Sequence, residues 1–294
     1  MSAWLPTAPC RPGLCATPAG PEAGHVRAVL RLTAGLLAIL AGVALAPLTT
    51  PLTPAARRSL TRLWCRTVLR AFGLRVRITG TPPPGPHLVV ANHVSWLDIP
   101  LVAAVLPGRM VAKREVRSWP LVGPLAALGG TLFLDRDRLR ALPGAVRDIA
   151  RTLAAGHRVV VFPEGSTWCG RAQGRFRPAA FQAALDAGVA VQPVRITYRP
   201  IGPAAFVGDD PLTASLRRIA AAGRLTAEIR VLAPIPPGRH PDRRALARAA
   251  QAAVAVAVSS QTAVASDSAN HPFSSVHHRD NSSPAAASSF ATPS

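Results

Sequence analysis

Lysine is almost missing from this chain: Lys113 is the only one, although Lys and Arg together number 34. Tyrosine occurs once, and aromatic residues make up 5% of the 294 residues. Such a chain has few rings on which bases could stack. It also shows no zinc-finger, RRM or helix-turn-helix signature, so nucleic acid is not the expected partner. Acid is scarce too, with 14 Asp and Glu, which leaves a formal charge of +20. That imbalance attracts anionic lipid headgroups and phosphorylated substrates. The four cysteines (Cys10, Cys15, Cys65, Cys169) have no metal-ligand spacing and do not suggest a disulfide framework. A reducing compartment and no metal are therefore expected.

What the chain does have begins with a Pro-, Gly- and Ala-rich leader over 1–24, read as flexible. Residues 32–48 form an uncharged apolar run at the lower limit for crossing a bilayer. Arg27 and Arg31 precede it, whereas Arg57, Arg58, Arg62, Arg66 and Arg70 follow, which favours a cytoplasmic C-terminal side. "ALA" at 44–46 resembles a secretory cleavage site, but Pro47 would occupy the first mature position, so a signal peptide is disfavoured. The next stretch, "RRSLTRLWCRTVLRAFG", carries Leu60, Leu63, Trp64, Val68 and Phe72 at three- and four-residue steps between arginines. It fits a helix lying among headgroups or one packed on the domain core. Residues 25–73 are thus expected to form a membrane-associated helical segment.

From 74 to 260 the pattern becomes strands alternating with helices. Strands are expected at 75–79, 87–92, 109–113, 131–136, 158–163, 191–197 and 226–232. Helices are expected at 96–106, 118–128, 138–155, 176–187 and about 240–260. The fold class is α/β, a mostly parallel or mixed sheet covered by helices, with ligands expected at the carboxyl ends of strands. His93, Arg136 and Glu164 each follow a strand. Residues 261–294, including His277 and His278, read as a solvated, unstructured tail.

Three blocks carry chemistry. In "ANHVSWLDIP", Ser95 and Asp98 fit a capping box, with Ser95 as N-cap and Asp98 as the third helical residue. The same loop can hold Asp98 beside His93, which would make a general base with a set tautomer. In "GGTLFLDRDR", Arg136 and Arg138 could grip a phosphate, or could simply be solvated beside Asp135 and Asp137. In "VVVFPEGSTWCG", a strand ends in a turn of Glu164, Gly165, Ser166 and Thr167, whose amides and hydroxyls could bind a polar headgroup. Neither the Gly-x-Ser-x-Gly of a nucleophile elbow nor a P-loop is present.

In this order and spacing, Asn-His-x4-Asp, Phe-x-x-Arg and Phe-Pro-Glu-Gly resemble the glycerolipid acyltransferase family, most nearly its bacterial 1-acyl-sn-glycerol-3-phosphate acyltransferases. The resemblance runs from about 74 to 235 and includes "MVAKREV", "GRFRPAAFQAAL" and "VQPVRI". It implies that His93 is the base, oriented by Asp98. It further implies that Arg136 contacts an acceptor phosphate and that Glu164 and Gly165 help bind the glycerol-phosphate end. Ser166 and Lys113 are further candidates for binding substrate.

Family members transfer the acyl chain directly from an acyl-CoA or acyl-carrier-protein thioester, without cofactor or metal. The implied product is phosphatidic acid, made at the cytoplasmic face of the cell membrane. One departure matters: the third block usually continues Glu-Gly-Thr-Arg, whereas here Trp168 follows Ser166 and Thr167. The acceptor could therefore be another lysolipid such as lyso-ornithine lipid, or Arg171, Arg175 or Arg177 could supply the charge. A membrane lipid-binding protein without catalysis is the non-enzyme alternative.

Overall fold

The apolar runs pair into one seven-stranded sheet in this computed structural model, which describes residues 7–120, 122–135 and 138–267. In chain order the strands are β1 (Leu74–Thr79), β2 (Leu88–Ala91), β3 (Arg109–Lys113), β4 (Leu132–Leu134), β5 (Val159–Val161), β6 (Val191–Arg199) and β7 (Leu225–Val231). Across the sheet the order is β1-β7-β6-β2-β5-β3-β4. Strands β2 to β6 run parallel, β7 is antiparallel to β6, and β1 is parallel to β7. All seven expected strands are present, and the sheet is mixed.

The helices are α1 (Pro12–Cys15), α2 (His25–Leu45), α3 (Pro54–Ala71), α4 (Asp98–Ala103), α5 (Val122–Leu128), α6 (Leu142–Ala154), α7 (Ala179–Asp186), α8 (Ile201–Ala204), α9 (Leu212–Ala221) and α10 (Arg243–Asp267). Both faces of the central strands are covered, which is why β2 and β5 read as unbroken apolar runs. Val89 and Ala91 of β2 face a core shared with Val68 and Leu69 of α3, Leu101 of α4 and Ile219 of α9. Leu88 and Val90 point the other way, toward Ile149 of α6, Phe181 of α7 and Ala250 of α10. Helix α9 lies in a stretch to which the sequence reading assigned no element. One compact unit ends at Ala257, and a second begins at Val258, of which 258–267 are described as helix. The tail expected from 261 is thus helical to Asp267, while 268–294, with His277 and His278, lie outside the described residues.

Helix α2 lies along α3, the two forming the helical segment expected before 74. Gly35 and Gly42 face the rings of Phe72 and Trp64, where a Cβ would collide. Trp64 Nε1 donates to Ala38 O at 2.8 Å, and the Arg31 guanidinium donates to the carbonyls of Ala220, Ala222 and Gly223. The other face is open: Val26, Leu30, Leu37, Leu45 and Leu48 are each more than half exposed. His25–Thr49 is long and apolar enough to cross a membrane, with a mean hydropathy of 2.2.

The leader departs from expectation. Its proline content hides any periodicity, but tertiary contacts pin it: Ala23 N donates to Ala221 O, Gly223 N donates to Pro21 O, and Cys10 and Ala16 are buried. Residues 10–23 are a strap rather than a free leader.

Candidate active site

Strand β2 stops at Ala91, and its next residue replaces the missing peptide pairing with a side chain. The Asn92 amide donates to Ile196 O at 2.9 Å and accepts from Ile196 N at 2.8 Å. Strand β6 is thereby satisfied while the backbone at His93 turns away. The loop then closes on Asp98, whose carboxylate is fully buried. Asp98 Oδ2 accepts from His93 Nδ1 at 2.8 Å, from Val94 N at 2.6 Å and from Ser95 N at 2.9 Å. Its Oδ1 accepts from the Tyr198 hydroxyl at 2.6 Å.

The capping box is half as expected. Asp98 does take the Ser95 amide, but Ser95 Oγ accepts from Leu97 N at 3.3 Å rather than from Asp98 N. Residues 96–97 form a turn, so α4 begins at Asp98, two residues later than the pattern implied. The cap and the His–Asp pair coexist in one carboxylate.

A carboxylate facing Nδ1 fixes the proton there and leaves the Nε2 lone pair free. The imidazole stacks on Phe162, with centroids 4.1 Å apart and an 18° angle between planes, and the His93 side chain is 19% exposed. Burial and the Asp98 charge push the Tyr198 hydroxyl well above the ordinary tyrosine value, so it stays a donor.

Because β5 neighbours β2 in parallel, the third block lies beside the first. Glu164 Oε2 accepts from His93 N at 2.8 Å, and its Oε1 accepts from Gly174 N at 3.0 Å. The residue is 2% exposed. Burial raises its carboxyl to about 8, against the opposite pull of the two amides and of Arg195. Each carboxylate oxygen thus takes one backbone N–H, which ties the residue to the His93 loop and to the turn at Gly174.

The remaining candidates separate. Gly165, at φ +77°, makes the turn and donates its N–H to Phe162 O at 3.1 Å. Ser166 Oγ is buried without a protein partner, as are Trp168 Nε1 and Gln173 Nε2. Lys113 is exposed at the end of β3. Arg136 and Asp137 lie outside the described residues, and neighbouring Asp135 pairs with Arg114 at 3.1 Å and Arg138 at 3.6 Å. Arg171 donates to Leu14 O at 3.2 Å. Arg175 and Arg177 join Arg244 and Arg248 around a cavity of about 240 Å³. Asn92 and Phe162 belong to the quoted blocks but were given no role there, and Gly174 and Tyr198 were not singled out from the sequence. Tyr198 carried one signal, since it is the sole tyrosine.

The family model described as Acyltransferase matches residues 74–197. A lyso-ornithine lipid O-acyltransferase of Pseudomonas aeruginosa is 43% identical over 210 residues, which cover 69% of this chain and 79% of its own. A 1-acyl-sn-glycerol-3-phosphate acyltransferase of Neisseria meningitidis is 39% identical over 135 residues, 45% of this chain and 53% of its own. The crystal structure of the 1-acyl-sn-glycerophosphate (LPA) acyltransferase PlsC from Thermotoga maritima matches with a TM-score of 0.65 at 21% identity. That match covers 81% of this chain and 97% of that one, a likeness of fold. Sheet, site and relatives together define an acyltransferase of lipid synthesis. The chain belongs to the acyltransferase family.

Proposed function

We propose that His93 is the general base in transfer of a fatty acyl group from a CoA or carrier-protein thioester to the free hydroxyl of a lysolipid. Nε2 takes the hydroxyl proton as the oxygen attacks the thioester carbonyl. Asp98 stabilises the imidazolium that forms. The C–S bond then breaks, and the imidazolium returns its proton to the departing sulfur. No resident cofactor or metal enters this chemistry. The observation that carries the reading is the 2.8 Å contact from His93 Nδ1 to a fully buried carboxylate, which leaves Nε2 free. Glu164 acts as a positioning residue, holding the His93 amide and the 174 turn together. Arg175, Arg177, Arg244 and Arg248 receive the anionic end of the donor.

Two lysolipids are acceptors on this reading, 1-acyl-glycerol-3-phosphate and lyso-ornithine lipid. The second is favoured by the long match to the Pseudomonas relative and by Thr167 standing where the resembled block has arginine. The site works at the cytoplasmic face, which the arginine excess after α2 supports. Because α2 is tied to the domain at Arg31 and again through Trp64, it lies in one leaflet rather than crossing as a free span.

The test is turnover of purified protein with labelled acyl-CoA and acyl-carrier protein against both acceptors. Acylation of both is expected, with the higher kcat/KM for lyso-ornithine lipid. His93→Ala should lower kcat by at least about 10³-fold with vesicle binding retained. Unchanged turnover in that variant defeats the mechanism.

A further inference from the structure

Three of the four cysteines meet in space, two from the N-terminal strap and one from the distant third motif. We propose that Cys10, Cys15 and Cys169 form a site for a thiophilic d10 cation, Zn²⁺ or Cu⁺, that fastens the N-terminal strap to the third motif. Their sulfur atoms all lie within 4.8 Å of one another. Zinc–thiolate bonds of about 2.3 Å in tetrahedral geometry place sulfurs about 3.8 Å apart. A contraction of about 1 Å or less, which side-chain torsions supply, therefore closes the site. The all-sulfur donor set selects soft cations over Mg²⁺ or Ca²⁺.

Local structure prepares each ligand. The single turn of α1 brings Cys10 and Cys15 to one side, with Cys15 N bonded to Arg11 O at 2.9 Å. Gly170 sits at φ +81° directly after Cys169, and the backbone N–H groups of Arg171 and Ala172 face the Cys169 sulfur. Amides aimed at sulfur are the outer-shell support that metal thiolates use. Ala16, Ala205 and Val207 pack around the cluster, with Trp168 beside them. Cys10 and Cys169 are buried, whereas Cys15 is half-buried and leaves a side for water as a further ligand. Binding exchanges the thiol protons for the cation, so it releases protons to solvent.

The location gives the site a consequence. Trp168, directly before Cys169, donates its N–H to His93 O at 2.8 Å. A cation would thus connect the strap, through two adjacent residues, to the loop of the base. A disulfide would use only two of the three sulfurs and is the competing outcome.

The full-length chain, purified reduced in detergent and stripped of metal, should be titrated with Cd²⁺ and followed by its thiolate charge-transfer absorption. Separate Zn²⁺ and Cu⁺ competitions then tell the two cations apart. One ion per chain is expected, with proton release and slower proteolysis of the strap. Cys15→Ser, the least packed of the three, should weaken binding at least about 10-fold while keeping its circular dichroism. Cys65→Ser, in the main core, should bind as the wild type does. No charge-transfer band, equal affinity in Cys15→Ser, or two of the three sulfurs found joined in the chain as isolated overturns the proposal.

Discussion

Two buried acids bond to the loop of His93, and their partners differ. Asp98 receives four hydrogen bonds, one of them from the imidazole, so its charge is solvated by fixed donors. Glu164 receives two, both from backbone, and its carboxyl is raised to about 8 by burial. The folded state therefore binds that proton more tightly than the unfolded chain, whose value is near 4.5. Its contribution to stability is full below about 4.5 and is lost as pH rises through about 8. Chemical denaturation across that window should show stability falling, and Glu164→Gln should remove this part of the slope. Glutamine has one acceptor oxygen for two N–H donors, so the variant should also lose about 1–3 kcal/mol and some kcat. A slope identical in both proteins would refute the assignment.

At the scale of elements, the site is the meeting of two neighbouring strand ends and one turn. Gly174 closes that turn: its N–H bonds Glu164, and a Cβ there would strike the Trp168 indole nitrogen. Gly174→Ala should cost about 1–3 kcal/mol by overpacking. It should also slow turnover, measured beside thermal unfolding, without raising the KM for donor. The central strands were legible because β2 and β5 are apolar without interruption, and His93 and Asp98 were legible because a turn of fixed length joins them. Tyr198 and Gly174 were not, since their partners lie 100 and 10 residues away and only the sheet order brings them in. Helix α9 was missed although Leu212, Leu216 and Ile219 recur on one face, because it stands between two strands in a stretch opened by prolines. The backbone partners of Glu164 were hidden for a different reason: sequence shows an acid, whereas which amides face it depends on the fold.

Across the whole molecule, charge and apolar surface divide the work of reaching a bilayer. On the proposed membrane reading, the arginines would draw the protein to anionic headgroups and the open leucines of α2 would enter the acyl region. Leu30→Asp combined with Leu37→Asp touches neither α3 nor the sheet core. It should therefore weaken sedimentation with anionic vesicles by about 10²-fold or more while the far-ultraviolet spectrum is unchanged. Wild-type binding in that variant would mean that the arginines suffice. How His93 is gripped has a further consequence. Glu164 and Asp98 hold His93 and its loop through the N–H groups of His93, Val94, Ser95 and Gly174. A clamp that closes on main chain is indifferent to which side chains hang from it, Gly174 excepted. On the proposed mechanism, residues such as Ser166, Thr167 and Trp168 can change with the acceptor while the proton-transfer geometry stays put, so one reaction can be carried to new lipids by drift in its rim.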